Sequence, residues 1–329
     1  MDALTTNISD FFSSHLTGPS LAWYIFVILC IFVISRCRIV LLILCWLPLV
    51  LTILFMVFKN DIDRGLNRST FFHDFSVGAN IAETKDAPEN SIAALKLALK
   101  DNNVVLFDVR MANDGAAVVI RDTRTGRTTE KEMNVAKTAS TELVKLKFRD
   151  GEGRIPLFKE MMDECRKNNS KAVLRVHESS KELLAEISDY VRKHDLYSSV
   201  IVMSDHPTVV FFVKRHDPRI LTGLSYTRFG ASEHFQRNSS HNIFYKFLGQ
   251  LIDDVMQIIV NTFLLPRFVG SDAIFLSEAD VSLYFVKEAI SKRIQVAVLS
   301  AENKTSQQWL REVAKIPYFT KKLASQKEE

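Results

Sequence analysis

From Val77 onward the chain alternates short β-branched apolar runs with helix-spaced segments, a rhythm that admits few folds. Its first units are the clearest. Val104–Val109 and Ala116–Ile120 are strand-like and bounded by the turn signals Asn102-Asn103 and Asp114-Gly115. Between the first strand and these lies a helix carrying Ile92, Leu95, Leu97 and Ala98, with Asn90 expected as its N-cap. Lys171–Val176, Ser199–Ser204, Arg219–Leu224, Ala273–Ser277 and Ile294–Ser300 read as further strands, the last of these as the final one. Helices are expected at Lys181–Arg192, Pro207–Val213, Val281–Lys292 and Thr305–Lys315. Ser199–Ser204 is apolar almost throughout, as a strand is when both faces of a parallel sheet are covered. Residues 70–320 suffice for one (β/α)8 TIM barrel.

Upstream, residues 1–20 are a mostly polar tail without Lys or Arg. Leu21–Ser35 and Ile39–Phe58 are apolar runs flanking Arg36-Cys37-Arg38. A bilayer core takes about 20 apolar residues as a helix, so 21–58 is expected to be a transmembrane anchor, either a tight hairpin or one span after an interfacial segment. Pro48 is compatible with such a helix. Lys59, Arg64 and Arg68 offset Arg36 and Arg38, leaving the orientation undecided by charge. Asn-x-Ser/Thr sequons at Asn7, Asn67, Asn168, Asn238 and Asn303 are compatible with an extracytoplasmic domain.

Ile243–Val269 interrupts the barrel rhythm. It is rich in Phe, Leu and Ile but carries Lys246, Asp253, Asp254 and Arg267, which disfavours a span. A membrane-associated amphipathic insertion, an inserted helical pair over a barrel loop, or an ordinary core-facing helix all fit its periodicity. Residues 321–329 read as a charged tail. The net charge of +4, without long basic runs, gives no case for nucleic acid. Cys165 reads as a small buried hydrophobe.

Ala87-Pro88-Glu89-Asn90, a helix, a strand ending in Asp108-Val109, Asp114-Gly115, Val118-Val119-Ile120-Arg121-Asp122 and Arg127-Thr128-Thr129 together resemble the glycerophosphodiester phosphodiesterase family, in its small membrane-anchored branch. Arg154-Ile155-Pro156-Leu157 with Met161 and Cys165, and Ile294-Gln295-Val296, extend the resemblance over roughly 75–320. The resemblance implies a lumenal or extracellular barrel, at the endoplasmic reticulum or plasma membrane, acting on glycerophosphodiesters or lysophospholipids. It also implies two catalytic histidines, an arginine and three carboxylates holding Ca or Mg, because an alkoxide must be protonated while charge on phosphorus is offset.

Carried onto this chain, those positions are largely substituted. The first histidine falls on Asn80 and the arginine on Ile81; the second histidine falls on Arg121. The metal carboxylates fall on Leu106, Asp108 and Arg175, and a neighbouring lysine on His177, so only Asp108 is retained. Asp108, Arg121 and Arg175 would leave an excess positive charge without a metal, suited to a phosphate or phosphodiester head group bound by Arg121, Arg175 and His177. The plainer alternative is that Arg121 or Arg175 pairs with Asp108, Glu178 or each other's carboxylate neighbours. His177 is either a relocated base or a structural histidine, Asp205-His206 is similarly ambiguous, and Glu89 is expected in the first turn of its helix. The expectation is a pseudoenzyme without a cofactor, binding a membrane lipid or glycerophosphodiester. An active phosphodiesterase needing Ca or Mg, and a membrane scaffold for a protein partner, are the alternatives.

Overall fold

The computed structural model describes residues 26–33, 38–62, 65–238 and 243–322. The chain forms two compact units, Met1–Phe58 and Lys59–Glu329. In the first, Arg38–Phe58 is a 21-residue helix containing Pro48, whose carbonyl accepts the Thr52 hydroxyl at 2.7 Å. Side chains are described from Trp46 on, and large apolar ones there are exposed along the helix. Among the described residues no helix is long and apolar enough to cross a membrane. The expected tail at 1–20 lies outside the described residues.

The second unit is a closed barrel. β1 (Val77–Asn80), β2 (Val104–Met111), β4 (Lys171–Val176) and β5 (Val200–Ser204) pair in parallel, followed by β6 (Leu221–Tyr226), β7 (Ala273–Leu276), β8 (Gln295–Val298) and β9 (Tyr318–Thr320). β9 pairs with β1 and closes the ring; β3 (Ala117–Val119) adds antiparallel to β2. The final strand is therefore Tyr318–Thr320, not Ile294–Ser300. The closing helix is also shorter than expected, Lys304–Trp309 followed by a π-helical turn, Leu310–Ala314.

Strand parity sorts the core. Val105, Phe107 and Val109 point outward and meet Leu95, Phe158 and Ile187 of the helices. Leu106, Val173, Ile201, Leu221 and Phe275 fill the interior. Phe75 precedes β1 and lies 5.1 Å from Phe319, ring centre to ring centre, so with Phe71 it closes the amino-terminal mouth. Each such ring removed from water contributes about 1.5–3 kcal/mol. Gly223 leaves the room that Phe275 takes; a Cβ there would overlap the ring. Cys165 is buried as expected, and burial pushes its thiol up to about 12, leaving it inert as a thiolate nucleophile at neutral pH.

Ile243–Val269 forms two helices, Ile243–Asn261 and Leu264–Val269, between β6 and β7. The helix after the first strand is Ile92–Ala98 and its cap is Ser91, whose hydroxyl accepts the Ala94 N–H at 3.0 Å. Asn90 instead takes a left-handed turn, φ 55°, a conformation Asn tolerates better than most residues. Glu89 consequently lies before the helix rather than in its first turn.

Candidate phosphate-binding site

The same parity that fills the barrel places the polar residues. Register sets Asn80 beside Leu106 and Asp108 beside Arg175 at the carboxyl ends of β1, β2 and β4. Such ends are where (β/α)8 proteins gather their reacting groups. Ile81, one residue on from Asn80, turns the other way and is fully buried in the layer between strands and helices. Leu106 lies in the barrel interior.

Asp108 is the centre of the inner tier and is fully buried. One oxygen lies 2.7 Å from His177 Nε2 and 3.9 Å from Arg175. The other accepts the Asn90 side-chain N–H at 3.1 Å, while Asn90 Oδ1 accepts the Asp108 backbone N–H at 2.9 Å. The loop before helix Ile92–Ala98 is thereby clamped to β2, which accounts for the left-handed turn at Asn90. Burial alone would raise the Asp108 carboxyl. The His177 hydrogen bond, the Arg175 charge and the Asn90 amide outweigh it and hold the group below 3.8.

Glu83 makes the outer tier. Arg175 and Arg121 each approach its Oε1 at 3.2 Å, and Lys321 approaches its Oε2 at 3.0 Å. Burial would raise this carboxyl too, but the Lys321 hydrogen bond and the Arg175 and Arg121 charges keep it below 4.5. Lys321 also meets Glu302 at 3.3 Å, and its own pKa is raised because these carboxylates outweigh burial. Three cations, Arg121, Arg175 and Lys321, thus face three carboxylates, Asp108, Glu83 and Glu302. The excess of one positive charge counted from Asp108, Arg121 and Arg175 is therefore offset once Glu83, Lys321 and Glu302 are included.

Two buried atoms in this group have no hydrogen-bond partner, Asn80 Oδ1 and Arg175 Nε. Asn80 is fully buried and its amide donates to the Leu299 carbonyl at 3.4 Å; Arg175 is 5 % exposed. Above Glu83 opens a cleft of about 830 Å3, lined by Glu83, Arg121, Arg127 and Lys321 among others. Arg127 closes one wall through a forked ion pair with Glu89 and a 2.6 Å contact with Asp122.

Other expected groupings did not form. Glu178 pairs with Arg110 at 3.8 Å and accepts the Met111 N–H at 2.6 Å, so it partners neither Arg121 nor Arg175. Arg121 pairs with Glu83 and not with Asp108. Asp205 and His206 are exposed just before helix Pro207–His216, and Ser204 spends its hydroxyl on the Val176 carbonyl at 2.6 Å.

A divalent cation does not fit these donors. Hard cations take several oxygens. Here Leu106 offers none, Arg175 brings a positive charge, and both Asp108 oxygens face donors. Among the described residues no three His, Cys, Asp or Glu side chains cluster so as to hold a metal.

Because both carboxyls are depressed, their stabilisation is fully present above the ordinary values of 3.8 and 4.5 and is lost as pH falls through the lower folded values. Denaturant titrations of wild type and Asp108→Asn from pH 7 to pH 3 should therefore show a stability gap that narrows in acid. A gap independent of pH would mean that the Asp108 charge contributes nothing.

A closed parallel barrel with polar side chains gathered at the strands' carboxyl ends defines a (β/α)8 protein. Residues 82–323 match the Glycerophosphoryl diester phosphodiesterase family, and the chain belongs to it. It is 25% identical over 223 residues to Glycerophosphodiester phosphodiesterase 1 of Mus musculus, covering 64% of this chain and 67% of that protein. For the Homo sapiens protein of that name the identity is 24% over 224 residues, with the same coverage. The fold is shared with a glycerophosphodiester phosphodiesterase from Agrobacterium tumefaciens, at a TM-score of 0.58 and 16% identity, over 76% of this chain and 96% of that one. An Oleispira antarctica phosphodiesterase, solved in complex with sn-glycerol-3-phosphate, gives a TM-score of 0.57 at 17% identity, over 75% of this chain and 92% of that one.

Proposed function

We propose that the barrel binds the phosphate of a glycerophosphodiester or related lipid head group without hydrolysing it. The observation that carries this reading is the convergence of Arg121, Arg175 and Lys321 on the single carboxylate of Glu83, beside an open cleft. Arginine's fixed donors match phosphate oxygens. The residues at the family's catalytic positions argue against turnover. Asn80 has no proton to exchange at neutral pH, and Arg121 is permanently cationic. Each general acid or base supplies roughly 10²- to 10⁴-fold in rate, and a metal ion several kcal/mol more.

Membrane attachment is part of the same proposal. A helix apolar on all sides needs an apolar environment, and Trp46–Phe58 presents large apolar side chains to its surroundings in every direction. The barrel then belongs on the extracytoplasmic side, where the exposed sequons Asn168 and Asn303 are available for glycosylation.

The test is calorimetric titration of the full chain in detergent with sn-glycerol-3-phosphate and with glycerophosphoinositol, following product release with and without Ca²⁺ or Mg²⁺. Metal-independent binding without product, reduced about 100-fold or more by Arg175→Ala, is expected, since hydrogen bonds to a charged group contribute about 1.5–3 kcal/mol each. Release of glycerol phosphate would instead favour an active enzyme using the His177–Asp108 pair as an oriented base. Absence of both binding and product would favour a scaffold for a protein partner.

A further inference from the structure

Helix Ile243–Asn261 has three sides. Its inner side is built from Gly249, Asp253 and Val260; Val260 is fully buried, and the Asp253 carboxylate accepts the Ala231 and Ser232 N–H groups at 2.9 Å each. Gly249 packs so closely that a Cβ would stand 3.0 Å from Ser232 Cα. Gln250, Asp254, Gln257 and Asn261 follow as a polar strip. The remaining side carries Phe247, Leu251, Val255 and Ile258 at i+4, i+4 and i+3 spacing, which are 62%, 47%, 48% and 62% exposed. A helix on a soluble surface turns its apolar stripe toward the core. This one turns a second stripe outward.

Chain connectivity points to what covers it. Asn60 is buried, its N–H donates to the Phe268 carbonyl at 2.9 Å, and its amide donates to the carbonyls of Phe211 at 2.9 Å and Val269 at 3.2 Å. The chain is thus pinned to helices Pro207–His216 and Leu264–Val269, and the second of these directly follows the striped helix. Asn60 comes two residues after Phe58, the end of the apolar helix. The pinned helices expose Phe212 and Leu264 at 51% and 49%, together with the cations Arg215 and Arg267. Arg215 sits 5.8 Å over the Phe211 ring, which stacks on Phe268. Apolar side chains interleaved with arginines suit the level of lipid head groups.

We propose that the outward stripe of Ile243–Asn261, with Phe212 and Leu264, rests in the head-group region of an anionic bilayer, with Arg215 and Arg267 meeting lipid phosphates. The inference rests on the membrane attachment proposed above. It would bring the barrel against the lipid that carries its ligand.

The experiment uses the full chain reconstituted in vesicles of equal parts phosphatidylcholine and phosphatidylserine, doped with a phospholipid carrying a diazirine in its acyl chain. Irradiation and peptide mapping by mass spectrometry then report which segments meet lipid. Labelling is expected at residues 38–58 and, separately, at 245–258 and on Phe212 or Leu264. Changing Phe247, Leu251, Val255 and Ile258 together to Gln, which keeps helix propensity, should lower labelling at 245–258 about tenfold while leaving 38–58 unchanged. Labelling confined to residues before Lys59 would overturn the inference and keep the attachment. No labelling anywhere would remove both. A dimer in detergent whose stripe is shielded from lipid would assign that face to a second copy and overturn the inference. Equal labelling in vesicles of phosphatidylcholine alone would overturn the role given to Arg215 and Arg267.

Discussion

Glu83→Gln should tighten binding of sn-glycerol-3-phosphate by about tenfold. In the free protein the Glu83 carboxylate already lies where Arg121, Arg175 and Lys321 converge, so an arriving phosphate must share or displace it. Two anions about 6 Å apart at an effective dielectric near 20 repel by roughly 3 kcal/mol, and partial exposure of Glu83 screens much of that, which leaves about one decade in affinity. The same change should cost stability, because nearly buried Arg175 then keeps only Asp108, at 3.9 Å, as a carboxylate partner. Opposite signs for affinity and stability are the signature of a residue holding a site closed. Calorimetry and a denaturant titration on one preparation read both. If Glu83→Gln weakened phosphate binding, Glu83 would be organising the cations for the ligand rather than standing in its place. If neither form bound phosphate, the binding function itself would fall.

The barrel was legible because each parallel strand is a short apolar run between polar helices, and that periodicity is local. What the sequence hid was set by closure. Tyr318-Phe319-Thr320 is too short to carry a period, and it becomes a strand only because β1 and β8 offer it edges. Pairing of Thr320 with Ala79 then brings Lys321 to Glu83, turning the first residue of an apparent tail into a site residue. Glu83 gave no signal, being one charge in a polar loop. Asn90 misled for a chemical reason, since the side chain that suits an N-cap also suits a left-handed turn. Asp108, Arg121, Arg175 and His177 were found through the resemblance, and three of them do meet: Arg175 and His177 both contact Asp108, with Arg121 one carboxylate away on Glu83. Ile81, named through the same resemblance, does not join them, because strand parity turns it from the barrel axis.

Lys214→Met should destabilise the barrel by about 3–5 kcal/mol, the cost of leaving a buried charge without its partner. Lys214 and Asp272 are both fully buried, with Nζ 2.7 Å from the carboxylate. The ammonium also donates to the Pro218 carbonyl at 3.1 Å, and Asp272 accepts the Thr222 N–H at 2.8 Å. The pair therefore ties helix Pro207–His216 to the entry of β7 and the start of β6. Gly270 belongs to the same packing, since a Cβ there would crowd Asn60 and Lys214. Helix propensity cannot explain a loss, as Met and Lys are near equal in that respect. The double variant Lys214→Met with Asp272→Asn separates charge from packing. Removing both charges should recover a large part of the loss, because the uncompensated carboxylate is gone while the Thr222 contact can persist. Denaturant midpoints of the full chain in detergent decide it. A single variant within about 1 kcal/mol of wild type would show that water or another donor reaches Asp272. A double variant no better than the single would place the cost in lost packing of the lysine stem rather than in the charge.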